Sequence, residues 1–143
     1  MSERLAFGSA IKTKTHVKQL RALGITHVIN LRWSNNNAKV RKFRHIWLRF
    51  HDDKKPRPKW FYERALKFHR KAMKKPDTKL FVMCHHGICR SASLTYFFLR
   101  GSGKSHATAE SRIKCIRPAA HVVPAYMESG ERFLRRMKRR CGS

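Results

Sequence analysis

Carboxylates are scarce in this chain. Eight Asp and Glu stand against 34 Lys and Arg, a formal charge of +26 over 143 residues and a pI near 11.3. Small soluble domains are comfortable with a net charge of about 2 to 8. Self-repulsion on this scale costs stability, and it makes polyanions such as RNA, DNA, anionic lipid or phosphorylated protein natural company, without naming a substrate. Long apolar runs are also missing. No stretch of about 18 apolar residues exists to span a bilayer. The opening MSERLAFGSAIKTK lacks the apolar core of a secretory signal. The four cysteines are irregularly spaced and make no disulfide framework. Cys141 stands third from the end, one place short of what prenylation requires. These absences lead us to expect a soluble, monomeric, intracellular protein, cytoplasmic or, in a eukaryotic or viral setting, nuclear. At 41% hydrophobic and 10% aromatic, the chain is not disordered. With no repeat and no linker, residues 1–143 are expected to form one domain.

Periodicity supplies the elements. Val17, Leu20 and Leu23 recur at helical spacing over residues 15–23, with Gly24 as the stop. Residues 25–31 form a β-branched run that predicts a buried strand. A loop is expected over 33–39 and a second strand over 43–50. Asp52-Asp53 then opens a loop with Pro56 and Pro58. Phe61, Ala65, Phe68 and Ala72 predict a helix from Lys59 to Met73, broken at Pro76-Asp77. Leu80-Phe81-Val82-Met83 reads as a fully apolar strand. Helices are expected over about 91–99, 105–116 and 124–138. Strands interleaved with helices predict an α/β fold with a central, mainly parallel sheet flanked by helices. Ligands of such sheets bind beyond the carboxyl ends of the strands, where residues 84–91 would lie.

That segment, Cys84-His85-His86-Gly87-Ile88-Cys89-Arg90-Ser91, carries the chemistry. A strand ends, a tight loop turns through Gly87, and a helix begins near Arg90. Inward-facing amides of residues 85–90 and the positive helix end would cradle a dianionic phosphate. A cysteine at the start of such a loop is held in the same positive field, which favours the nucleophilic thiolate. Arg90 is spaced to curl back and clasp two phosphate oxygens with its planar fork. Ser91 can donate a hydrogen bond to the cysteine sulfur and so help it leave.

Cys-x5-Arg-Ser with Gly at the fourth position resembles the signature loop of the cysteine-dependent protein tyrosine phosphatases, and more closely their dual-specificity branch. Residues 23–31, the stretch Phe61-Tyr62-Glu63-Arg64-Ala65, and Arg117-Pro118 with Pro124 and a final helix extend the resemblance over about 15–137. It implies a phosphatase-like fold and hydrolysis of phosphate esters through a cysteinyl-phosphate intermediate, with no cofactor and no metal. It also implies a general acid about thirty residues before the cysteine. Asp52 and Asp53 both qualify: comparison through residues 61–65 favours Asp52, the spacing from acid to proline in Asp53-Lys54-Lys55-Pro56 favours Asp53, and the sequence leans only slightly to Asp52. Lys54, Lys55 and Arg57 would lower either carboxyl, whereas a general acid wants it raised. The chain departs from the family at Met83, where the usual residue is a His that helps organise the loop; protonated His85 and His86 would partly offset the loss.

The expected partner is a phosphorylated protein carrying phosphotyrosine or phosphoserine/threonine. RNA 5′ ends and phosphoinositides are alternative substrates that the charge would suit, and a non-catalytic polyanion-binding module is the alternative outside enzymes. A zinc reading of Cys84, His85, His86 and Cys89 lacks a second half-site. Gly101 to Ser105 lacks the first glycine of a nucleotide-binding loop. Cys89 could pair with oxidised Cys84 as a redox brake, although an inert small residue is the simpler reading. The basic cluster Arg132, Arg135, Arg136, Lys138, Arg139 and Arg140 reads as the solvated face of a helix buried through Met127, Leu134 and Met137, or as a nucleic-acid or import patch.

Overall fold

A computed structural model describes residues 4–33, 38–86 and 88–142. Among them four strands, β1 (Leu5–Gly8), β2 (His27–Asn30), β3 (Arg44–Trp47) and β4 (Leu80–Met83), pair in the order β1-β4-β2-β3. Every pairing is parallel, so the sheet is wholly rather than mainly parallel. Five α-helices accompany it among the described residues: α1 (Lys14–Ala22), α2 (Lys59–Met73), α3 (Arg90–Gly101), α4 (His106–Ile116) and α5 (Pro124–Gly142).

β4 lies between β1 and β2 with all four residues buried. A strand covered on both faces needs apolar side chains on both, which is why LFVM shows no alternation. At about 1.5–3 kcal/mol for each fully buried large apolar side chain, these four residues anchor the sheet. Leu80 and Val82 join Leu5, Phe7, Ile29 and Leu31 on the face covered by α2, α3, α4 and α5. Phe81 and Met83 point the other way, into a smaller cluster with Ile11, Val17, Val28 and Phe43. The period-2 geometry of a strand thus divides one apolar run between two cores.

The predicted α2 and β4 hold at their expected limits. Elsewhere the structure corrects details. β1 was not anticipated: four residues carry little signal of their own, and their strand conformation rests on pairing with β4 in register Leu5 to Leu80. β2 and β3 are shorter than expected, though the flanking Ile25, Leu31, Leu48 and Phe50 are buried. Leu23, assigned to the apolar face of α1, is instead its C-cap residue and 64% exposed. Gly24 does end that helix, with φ +88°, a left-handed turn that a Cβ would strain. The loop expected over 33–39 runs into a 3-10 turn, Ala38–Lys42, and residues 34–37 of it lie outside the described residues. α3 runs on through Gly101, and the chain turns at Gly103 with φ +98°. The last helix is longer than expected, reaching Gly142.

Candidate active site

β4 delivers Cys84 to the carboxyl edge of the sheet, between the ends of β1 and β2. The Cys84 N–H donates to Gly8 O (3.3 Å), and the Leu31 N–H donates to Met83 O (2.9 Å). The thiol is 2% exposed, and Sγ lies 3.2 Å from Ser91 Oγ in a hydrogen bond. Ser91 sits in the first turn of α3, itself fully buried. Cys89 is the N-cap of α3 but makes no side-chain capping bond, unlike Thr13 on α1 and Ser105 on α4. The leading amides of α3 are thus left for another acceptor, and the positive end of the helix favours an anion there.

Arg90 is held on one side only. Its Nη1 donates to Phe50 O (2.7 Å) and Leu31 O (3.3 Å), tying the guanidinium to the chain just beyond β3 and β2. Nε and Nη2 have no partner among the described residues. A planar fork with one nitrogen fixed and two open keeps the geometry that bidentate binding of a phosphate requires.

The two aspartates differ. Asp52 accepts from Tyr126 Oη (2.8 Å) and from Lys54 Nζ at both oxygens (2.9 and 2.8 Å). Burial pushes its carboxyl up, but the bonds from Lys54 and Tyr126 and the charges of Lys54 and Arg90 outweigh it and leave the pKa below the ordinary value. Asp53 accepts from the Lys55 N–H (2.9 Å) and pairs with Arg57 (2.9 Å), which lower its pKa. The charge of Arg90 adds to the lowering of Asp52. The loop carrying both is clamped to α5: the Lys54 N–H donates to Tyr126 Oη (2.9 Å), the Arg57 N–H to Ser129 Oγ (3.2 Å), and Lys54 adopts φ +61°.

Of the remaining loop residues, Gly87 lies outside the described residues. His85 and His86 are exposed, their rings 4.3 Å apart. The charge of His86, then burial, then Lys12, Arg32 and Arg90 hold the His85 pKa below its usual value. That direction makes His85 a weaker source of positive charge at the loop. Lys12 and Arg32, which follow β1 and β2, bring cations to the loop instead. Sequence reading passed over both: Arg32, just after the strand predicted over 25–31, was within reach of the sheet rule, whereas Lys12 was not, because β1 carried no strand signal of its own. Tyr126 was missed for a better reason, since nothing local marks a residue that reaches Asp52 across 74 positions. Ile88 is half-buried, and its carbonyl accepts from the His121 N–H (3.0 Å). Burial pushes the Cys89 thiol up, Lys54 opposes, and Asp52 and Cys84 reinforce the rise. That direction disfavours the thiolate a redox brake would use. Met83 is completely buried in the smaller core. No group of three His, Cys, Asp or Glu side chains able to hold a metal is found among the described residues.

Comparison with known proteins agrees with this geometry. Dual specificity protein phosphatase 26 of Homo sapiens is 28% identical over 112 residues, 75% of this chain and 52% of that protein. The protein of the same name from Rattus norvegicus matches to the same extent. The chain spans about half the length of the curated relatives it matches. Human DUSP28 superposes with a TM-score of 0.82 at 21% identity, covering 97% of this chain and 96% of that one. PTPMT1, solved in complex with PI(5)P, superposes with a TM-score of 0.79 at 18% identity, covering 95% and 94%. At these identities the two structures speak for the fold. The family of the dual specificity phosphatase catalytic domain matches residues 7–129, which is most of the sequence, and the chain belongs to that family.

Proposed function

We propose that this chain is a phosphoprotein phosphatase that works through a cysteinyl-phosphate intermediate. The observation that carries the reading is a buried Cys84, 3.2 Å from Ser91 Oγ, together with an Arg90 whose Nη1 alone is engaged. Cys84 attacks the phosphorus as thiolate. The transferring phosphoryl group is held by loop amides, by the uncapped start of α3, and by Nε and Nη2 of Arg90. Asp52 rather than Asp53 gives the proton to the leaving oxygen, since Asp52 is held in place by Tyr126 of α5 and by Lys54, whereas Asp53 is tied to Lys55 and Arg57 of its own loop. Water then cleaves the S–P bond, Asp52 takes its proton, and Ser91 donates to the departing sulfur. With Met83 in place of the family's His, the field at the loop comes from the α3 terminus and from Lys12, Arg32 and Arg90. Phosphorylated protein is the substrate class that the names of the curated relatives support.

The direct test is hydrolysis of phenyl phosphate by the wild type, Cys84→Ser and Arg90→Ala, with EDTA present. Turnover that survives EDTA and is lost in both variants is the expected result. A wild type inactive throughout about pH 5 to 8, the range in which general acid–base pairs of this kind operate, would sink the proposal.

A further inference from the structure

α2 and α5 lie side by side and enclose a groove of about 780 Å³. Its apolar lining is Leu66 from α2 with Phe133 and Met137 from α5, all packed on the main core. The rims are cationic. α2 and the residue after its end contribute Lys59, Lys67, Arg70, Lys71 and Lys74, and α5 adds Arg136 and Arg140. Glu63 is the one carboxylate on the groove among the described residues. Lys59, Lys67, Arg70, Lys71, Lys74 and Arg136 form no ion pair among the described residues.

The distribution of that charge identifies the occupant. The 15 residues of α2 extend for about 22 Å at 1.5 Å each, with Lys59 at the start and Lys67, Arg70, Lys71 and Lys74 over the last two turns and just beyond, so that cations stand at both ends of the groove. A lipid headgroup would need charge gathered at one end, with the apolar part dry beyond it. A nucleic-acid backbone would need the charge but gain nothing from a Leu, Phe and Met floor. A helix with one apolar stripe and acidic flanks uses both features along its full length.

We propose that the α2–α5 groove is a docking site for an acidic amphipathic helical segment of a protein partner. The groove starts at Lys59, two residues after Arg57 of the acid loop, so a docked segment would enter or leave near the mouth of the active site. Docking is independent of the chemistry at Cys84, and binding is read without turnover.

The probe is a fluorescent peptide of about 16 residues, long enough to span α2, with Leu at i, i+4, i+7 and i+11 and Glu on the flanks. Its controls are a scrambled peptide of the same composition, a single-stranded RNA of similar charge, and phosphatidylcholine–phosphatidylserine vesicles. At ionic strength of about 0.15 M the ordered peptide should bind about ten-fold more tightly than the scrambled one. The double variant Lys67→Glu/Lys71→Glu should lose at least about ten-fold in affinity while keeping its melting temperature and its aryl phosphate turnover. Met137→Ala, which removes floor and leaves the charge unchanged, should also weaken binding. Equal binding of ordered and scrambled peptides, or affinity unmoved in both variants, would overturn the proposal. So would RNA or vesicles binding more tightly than the ordered peptide and displacing it.

Discussion

Replacing Asp52 by Asn keeps the shape and the hydrogen bond from Tyr126 Oη while removing the proton that the leaving oxygen needs. General acid catalysis contributes about 10² to 10⁴ in rate, about 2.7 to 5.5 kcal/mol of barrier at 1.36 kcal/mol per factor of ten. That loss should be seen in kcat with phenyl phosphate, whose leaving phenolate is strongly basic. It should be much smaller with p-nitrophenyl phosphate, whose leaving group departs readily without protonation. Asp53→Asn is the internal control. It breaks the loop ion pair with Arg57, and it retains an acceptor for the Lys55 N–H. Its kcat should stay within about two-fold of wild type with either substrate. The assay is steady-state kinetics of both variants on both esters. Equal losses in the two variants, or an Asp52→Asn loss independent of leaving group, would refute the assignment of Asp52 as general acid.

The lowered Asp52 carboxyl makes a second prediction, since its protonated form is the active one and is depleted as pH rises through its pKa. Lys54→Met removes the main bond and charge that lower it, so the alkaline limb of the kcat profile should move to higher pH. With an exposed ion pair worth about 0.2–1 kcal/mol, the displacement should be at most about 0.7 pH unit; a limb that does not move, or moves down, would contradict the geometry. Stability should carry a third pH signature. His69, stacked on Phe98 with ring centroids 4.5 Å apart, has its pKa lowered by burial and then by Arg4 and Arg70 to about 4. The unfolded chain binds that proton more readily, so the contribution of His69 is complete above about pH 6.5 and is lost as pH falls toward 4, at most about 3 kcal/mol. His69→Phe should flatten the fall of Tm between about pH 6.5 and 4, and an unchanged slope would show that other groups set it.

Much of the architecture was legible because it depends on short-range pattern. The α2 helix announces itself through Phe61, Ala65, Phe68 and Ala72, and Gly24 marks a left-handed stop that the backbone takes at φ +88°. The unbroken apolar run of β4 signals a strand buried on both faces, and the loop it leads into could be recognised because the cysteine, the arginine and the serine of the family's signature fall within eight contiguous residues. What stayed hidden depends on partners distant in the chain. β1 is a strand because β4 pairs with it, 75 residues away in register. The difference between Asp52 and Asp53 rests on Tyr126 of α5 reaching Asp52 across the fold, and the open face of Arg90 rests on the carbonyls of Leu31 and Phe50. The cations of α2 and α5 are two unremarkable basic helices until packing through Phe133 and Met137 sets them on either side of one groove. Period and turn chemistry act between neighbours and can be read from letters in order; electrostatic selection and shape act through space, and exist only once the chain has closed on itself.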